Sequence, residues 1–432
     1  MKILRAGERE FERYLSEVEE RGTQDLFRFE KKVRSILKDV KKRGDEALVH
    51  YTQVFDNLRF PIHQLQVKKG EVKAAYGKVH LDLLGTIKKA AHRIQRFHRL
   101  QSRRFILSLK GEEPGIRLEQ VLRPLSRVGI YVPGGKASYP STVLMAAIPA
   151  KAAGVKEVVM VTPPQKEGIN PAVLVAADLA GVDRIYQIGG VQAIAALAYG
   201  TKSVPKVDKI VGPGNQYVAT AKRLVYGEVD IDMVAGPSEI VIVSDKEMPP
   251  SFVAADLISQ AEHDEMALAV LITNSEVFGR VVDQELKRQL SSLKRRKVAS
   301  KSLRQRGAIL IVKSLAQAIA LVNRIAPEHL ELLVSRPFSL LKEVRHAGAV
   351  FLGPYTPEAI GDYMAGPNHI LPTAGTARFF SPLGVEDFVK RTNRVSFTRR
   401  ALGRFEKDVR RFSEWEGLEG HSFAVQMRMS KP

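Results

Sequence analysis

The sequence contains no cysteine. Disulfides, zinc–thiolate sites, iron–sulfur clusters and every thiol-based nucleophile are thereby excluded. No apolar run approaches the ~20 residues that a membrane-spanning helix needs. The first residues, MKILRAGEREFERYLSEVEE, have no apolar core of the signal-peptide kind. The expected compartment is therefore the cytoplasm. Three common motifs are missing as well: GxGxxG, which would mark a standard dinucleotide domain, HExxH, which would mark a metalloprotease helix, and GxSxG, which would mark a nucleophile elbow.

What is present is length and positive charge. A chain of 432 residues exceeds one compact core and suggests two or three domains. With 44% hydrophobic and 26% charged residues it reads as an enzyme-sized globular chain. Its formal charge of +20 raises the question of nucleic acid. The charge, however, is spread along stretches such as IKKAAHRIQRFHRLQSRRF and LKRQLSSLKRRKVASKSLRQRG, which alternate with apolar residues as solvated helix faces do. No recognisable nucleic-acid motif accompanies it, so nucleic-acid binding is not expected as the main function. His92 and His98, in the first stretch, read as solvated.

Residues 1 to about 105 are charged and helix-periodic, with Val33, Ile36, Leu37 and Val40 at helical spacing and a stop near Gly44. From Arg127 the texture changes. Apolar strand-like runs (RVGIYVPGG, EVVMVTPP, RIYQIGG, KIVGPGN) alternate with Ala-rich helices, and a second series follows (EIVIVSD, ALAVLITN, AILIV, HLELLV, GAVFLGP). Such alternation implies parallel βαβ units, and two α/β units are expected. HLELLV begins with strict alternation, which favours a strand over a helix. The tail from about Pro382 reads as basic and helical and is too short to form a core alone, so it should pack on another domain or subunit.

Three Gly-rich turns, in YVPGGKASYPS, IGGVQAIA and VGPGNQYV, each join a strand to a helix, where open α/β sheets bind ligands and helix N-termini hold anions. Simple tight turns explain each one singly. In DLISQAEHDE, Gln260 and His263 leave one helix face three residues apart, though alone this reads better as a surface helix. AIGDYMAGPNHILPTAGTARFFSPLG is long and turn-rich, which is uncommon without a function; its ionisable candidates are Asp362 and His369. EGLEGH offers Glu416, Glu419 and His421. Ser238, at a Gly-Pro turn entering a strand, reads as a hydrogen-bonding group at most. In RIAPEHLELLV, Glu328 and His329 are adjacent, and taken alone they read more simply as a solvated chain corner than as an acid/base pair.

Together these stretches resemble the histidinol dehydrogenase family. GIYVPGG, VGPGN, IDMVAGPSE, QAEHD, APEHLE and GDYMAGPNHILPT fall in that family's order and at its spacing, and the resemblance runs over nearly the whole chain. It implies an α/β fold of two incomplete Rossmann-like parallel-sheet domains with small helical N- and C-terminal segments, in a domain-swapped homodimer. The implied boundaries are an arm at 1–26, a discontinuous first domain at 27–129 plus 238–383, a second domain at 130–237 that contacts the dinucleotide, and a swapped segment at 384–432. It further implies one Zn²⁺ per subunit on Gln260, His263, Asp362 and His421, the last reaching into the partner's site. Substrate contacts implied are Ser238, His329, Glu416 and the zinc ligands, and NAD⁺ contacts are Tyr131, Gln192 and Asn215.

The implied reaction is L-histidinol to L-histidine through the aldehyde, with two hydrides passing to two NAD⁺. Removing the hydroxyl proton calls for a base active near neutrality, a role suited to His329. A bare aldehyde cannot lose hydride to give an acid until oxygen is added, and with no cysteine available water must be the nucleophile. Glu328 is the carboxylate expected to activate it. The resemblance gives zinc the role of an orienting template. A paralogous dehydrogenase of another polar alcohol, or a zinc hydrolase, would share some of these parts. EGLEGH argues against the first and the three Gly-rich turns against the second.

Overall fold

In the computed structural model the described residues are 1–21, 28–59, 61–102, 113–134 and 138–430. The end of the expected arm at 22–26 and the Gly135 to Ala137 part of the first Gly-rich turn lie outside them. Among the described residues the strands are, in chain order, Lys2–Arg5 (β1), Ile116–Pro124 (β2), Arg127–Tyr131 (β3), Glu157–Thr162 (β4), Arg184–Gln187 (β5), Lys209–Val211 (β6), Asp230–Ile231 (β7), Glu239–Ser244 (β8), Leu268–Thr273 (β9), Ala308–Ile311 (β10), His329–Leu333 (β11), Ala349–Leu352 (β12) and Val389–Phe397 (β13).

They form two parallel sheets and one antiparallel pair. The first sheet runs β1-β10-β9-β8-β11-β12 and the second β5-β4-β3-β6-β7. Both are α/β sheets covered on two faces, which is why β4, β8 and β9 are apolar nearly throughout rather than alternating, and why even the alternating β11 is buried along its length. HLELLV is the strand its alternation suggested.

The helices fill four apolar layers. On the second sheet, helices Pro140–Ala152 and Pro171–Leu179 pack on one face, while Glu30–Arg43, Gly190–Tyr199 and Gln216–Val225 pack on the other. Val33, Ile36, Leu37 and Val40 are the buried stripe of Glu30–Arg43, each contributing ~1.5–3 kcal/mol by leaving water. On the first sheet, Arg9–Glu19 and Leu315–Ile325 cover one face, and Pro250–Ala261, Glu276–Leu290 and Arg296–Gln305 cover the other.

The order of strands reverses once in each sheet. The chain steps β3, β4, β5 outward and then returns to lay β6 on the free side of β3; likewise it steps β8, β9, β10 and then returns to lay β11 beside β8. Such reversals open a crevice outside the carboxyl ends of the strands.

Three expectations are corrected. His98 is fully buried, because it continues the Ile87, Ala91, Ile94 stripe of helix Leu81–Ser102; His92, off that stripe, is exposed. The N-terminal segment is not wholly helical, since Lys2–Arg5 pairs in parallel with β10. The tail is not wholly helical either. Val389–Phe397 pairs antiparallel with Ile116–Pro124 over its full length.

By its contacts the chain divides into two units. Unit 1 comprises Met1–Leu100 and Leu125–Phe388, and unit 2 comprises Gln101–Pro124 and Val389–Pro432. Within unit 2 the described part is the β2–β13 ribbon with helices Arg399–Trp415 and Glu419–Met429. Unit 2 buries few large apolar side chains and exposes Phe412, Trp415 and Phe423. A two-stranded ribbon with so small a core is marginal in water.

Candidate functional site

Glu328 and His329 are not a solvated corner. They are 6% and 4% exposed, at the amino end of β11. Helix Leu315–Ile325 ends at Ala326, whose left-handed backbone (φ +48°) turns the chain into Pro327, and the strand begins at His329. Glu328 Oε2 accepts the Glu239 N–H at 2.8 Å, and His329 Nδ1 lies 2.9 Å from the Glu239 carbonyl. A carbonyl only accepts, so Nδ1 carries the proton and Nε2 is left as a free lone pair. Nε2 lies 3.8 Å from Glu358 Oε1, beyond hydrogen-bonding distance.

Burial sets the electrostatics. It pushes the Glu328 carboxyl well above the ordinary glutamate value, against the opposing Glu239 N–H bond. It lowers His329 to about 4, so the imidazole is neutral at pH 7 and its Nε2 can accept a proton. A buried carboxyl–imidazole pair with both groups shifted by burial is a functional-site candidate.

Helix Pro250–Ala261 runs back along the first sheet, so its C-terminal end meets the amino ends of the strands. Gln260 there is fully buried, and neither its Oε1 nor its Nε2 has a partner among the described residues. Buried amides are almost always satisfied. His263 follows on the same end and is exposed. Helix Glu358–Tyr363 brings Asp362 and Glu358 to this edge, and ligand-capable atoms of His263, Glu358 and Asp362 lie within 4.8 Å of one another.

Burial disfavours an ionised Asp362, but the hydrogen bond to His369 and the nearby His329 and His263 outweigh it and hold the carboxyl at about 2. Burial, reinforced by Asp362, pushes Glu358 up to about 9. An anionic Asp362, a neutral buried amide oxygen and an imidazole make a hard N/O donor set without thiolate, which suits a divalent cation. Glu358 escaped the sequence reading, although it stands four residues before Asp362 on one helix face, a detectable spacing. Ser238 is half-buried one residue before Glu239. Glu416 and His421 lie exposed in unit 2.

The Gly-rich turns converge at the opposite pole of the second sheet, at the carboxyl ends of its strands. Tyr131 ends β3, and its hydroxyl accepts the Gly190 N–H at 3.1 Å. Gln192 is buried in the first turn of helix Gly190–Tyr199 with Oε1 unpartnered among the described residues. Asn215 caps helix Gln216–Val225, its side-chain oxygen accepting from the Tyr217 and Val218 N–H groups.

Close approach explains the glycines. A Cβ on Gly189 would stand 2.5 Å from Pro163 Cγ, and one on Gly212 (φ +111°) would stand 2.2 Å from the Tyr131 carbonyl oxygen. Helix Gly190–Tyr199 has no side-chain cap at Gly189, and its Gly190 N–H is taken by the Tyr131 hydroxyl.

The segment after Asp362 links the two regions. Asn368 Nδ2 donates to the Met145 carbonyl at 2.7 Å, and Ile370, Leu383 and Phe388 join the core around helix Pro140–Ala152.

A doubly crossed α/β scaffold with a buried carboxyl–imidazole pair, a hard-ligand cluster and glycine-lined turns at a strand-order reversal has the parts of an α/β enzyme site. Comparison with known proteins narrows the class. The histidinol dehydrogenase family profile matches residues 19–429. The chain is 54% identical to the histidinol dehydrogenase of Syntrophotalea carbinolica over 429 residues, 99% of either chain. It is 52% identical to that of Geobacter sulfurreducens over 430 residues, covering 99% of this chain and 100% of the other. The crystal structure of histidinol dehydrogenase from Elizabethkingia anophelis superposes with a TM-score of 0.87 at 37% identity, covering 93% of this chain and 92% of that one. The chain belongs to the histidinol dehydrogenase family.

Proposed function

We propose that the protein oxidises L-histidinol to L-histidine through L-histidinaldehyde, with one Zn²⁺ per subunit and two NAD⁺ consumed per turnover. The observation that carries this reading is the buried Glu328–His329 pair near the Gln260 amide, which has no partner among the described residues, and the His263, Glu358 and Asp362 cluster. The donor set fits zinc, which would be held by Gln260, His263 and Asp362 together with the partner subunit's His421. Bound there it would fix the orientation of the substrate's imidazole and amine. NAD⁺ would lie at Tyr131, Gln192 and Asn215 and accept hydride twice.

The chain's own residues then divide the proton chemistry. His329 accepts the hydroxyl proton at Nε2 as hydride leaves the same carbon. Glu328 accepts a proton from water as its oxygen adds to the aldehyde carbon, and the hydrate then loses the second hydride. Alcohol, water and two NAD⁺ thus give carboxylate, two NADH and three protons. Ser238 and the partner subunit's Glu416 complete the substrate contacts in this reading. The exposed aromatic residues of unit 2 support its burial against a second copy of the chain. No described helix is long and apolar enough to cross a membrane, and a cytoplasmic location is part of the proposal.

The test is NADH formation when L-histidinol and NAD⁺ meet the purified protein, before and after chelation and zinc return. Two NADH per histidinol, lost on chelation and regained with zinc, support the reading. A folded, zinc-loaded protein that forms NADH from another amino alcohol but not from histidinol overturns it.

A further inference from the structure

Glu239 has no part in the chemistry above, yet both proton acceptors are fastened to its main chain. Its N–H donates to Glu328 Oε2 and its carbonyl accepts from His329 Nδ1. The cause is register. His329 pairs with Ile240 across the β8–β11 ladder, so the peptide groups of Glu239 stand one step further out, facing the side chains at the start of β11. One residue therefore fixes both the carboxyl orientation of Glu328 and the tautomer of His329.

The Glu239 side chain is itself clamped. It is 2% exposed, and Arg21 grips it with a two-pronged fork, Nε to Oε1 and Nη2 to Oε2, the latter at 2.8 Å. The Ala374 N–H adds a third bond to Oε1 at 3.0 Å. The other donors of Arg21 reach the Val18 carbonyl and, at 3.0 Å, the Ile325 carbonyl. Ile325 ends the helix whose turn carries Glu328 and His329. Arg21 thus holds the peptide that orients the two side chains and also the corner that carries them.

A buried Arg–Glu pair is a poor choice for stability alone, since apolar residues of similar volume usually do as well or better. A cavity of about 50 Å³, lined among others by Tyr14, Arg21, Glu239 and Arg306, adjoins the pair. Dense packing is not its purpose either.

We propose that the Arg21–Glu239 ion pair is a positioning device for proton transfer, aligning Glu328 and His329 through the Glu239 peptide. The inference rests on the reading of those two residues as the proton acceptors. Arg21 and Glu239 are positioning residues, since neither side chain touches the reacting atoms.

The test uses the zinc-loaded protein with rates expressed per zinc-bound site. Arg21→Ala should lower kcat about 10- to 100-fold, the effect expected from a misplacement near 1 Å. KM for histidinol and NAD⁺ should stay within about twofold, the pattern of a lost transition-state alignment. Free guanidinium, well below concentrations that unfold the protein, should restore kcat, and methylammonium should not, because only the planar fork fits both carboxylate oxygens. Should Arg21→Ala not fold, Arg21→Lys and Glu239→Gln are measured the same way, with a smaller kcat loss expected in each.

A kcat per zinc-bound site equal to wild type, or a rise in KM at constant kcat, overturns the proposal. His329→Gln is the control. If it lowers kcat while the Arg21 variants do not, only the positioning role falls; if it too leaves kcat unchanged, the proton-acceptor reading falls with it.

Discussion

Lys222 and Asp232 form a buried ion pair that closes around the peptide of Gly212. The ammonium donates to Asp232 Oδ1 and, at 2.9 Å, to the Gly212 carbonyl, while Asp232 Oδ2 accepts the Gly212 N–H at 2.8 Å. Removing one partner leaves the other charged and unpaired in the interior, so Lys222→Met should cost about 3–5 kcal/mol in denaturant unfolding. Adding Asp232→Asn should recover part of that loss, and KM for NAD⁺ should rise in both because the Gly212 turn loses its anchor.

Gly189→Ala should act on the same crevice by a different route. The new Cβ meets Pro163 Cγ at 2.5 Å and Pro163 Cα at 3.0 Å, so backbone must move. A loss of about 1–3 kcal/mol is expected. KM for NAD⁺ should increase while KM for histidinol holds, a split that steady-state kinetics with each substrate varied will show.

Asp56 ends helix Asp45–Asp56 with Oδ2 buried and without a partner among the described residues, and burial raises its carboxyl to about 6. Below the ordinary aspartate value both folded and unfolded states hold the proton. As pH rises from about 4 to about 6 the unfolded chain releases it first, so the folded state loses stability across that window and not above it. Asp56→Asn should remove this loss, with a gain of about 1 kcal/mol above pH 6 once screening of its exposed half is allowed for. Equal stability of the two proteins at every pH would contradict the shift.

Glu328→Gln should separate the two oxidations. The alcohol step should persist and the aldehyde step should slow about 10²- to 10⁴-fold, the range for loss of a general base. In a stopped-flow trace one NADH per histidinol would then form promptly and the second would lag. Equal slowing of both steps would refute the division of roles between Glu328 and His329.

His421→Ala should lower retained zinc after dialysis while leaving unit 1 folded, read by elemental analysis and circular dichroism. Unchanged zinc content would remove His421 from the ligand set and leave Glu358, already at the cluster, as the better candidate.

Strand–helix alternation was legible because most apolar runs here, β3, β4, β6, β8, β9 and β11 among them, are buried along nearly their whole length. Local sequence therefore carried the whole signal for β3 to β6 and for β8 to β12. The β2–β13 pair was not legible, since the partners of Val389–Phe397 lie in a distant segment and no local pattern records them. Gln260, His263, Asp362, Glu328 and His329 are named through the family resemblance that their motifs carry together; taken singly, the Gln260/His263 and Glu328/His329 motifs read as structural. Glu358 could have been found by its spacing to Asp362. Arg21 and Glu239 could not: their role follows from a strand register and from a bond between residues 218 apart.

The ribbon of unit 2 has a consequence for biosynthesis. Gln120 on β2 faces Asn393 on β13, 273 residues later. During translation β2 emerges early and waits, with an unpaired edge, until nearly the whole polypeptide has left the ribosome. Closing so long a loop is slow compared with the neighbouring βαβ contacts. Unit 2 is then the last part of the chain to pair. A product truncated before Val389 would keep both parallel sheets and leave β2 without its partner.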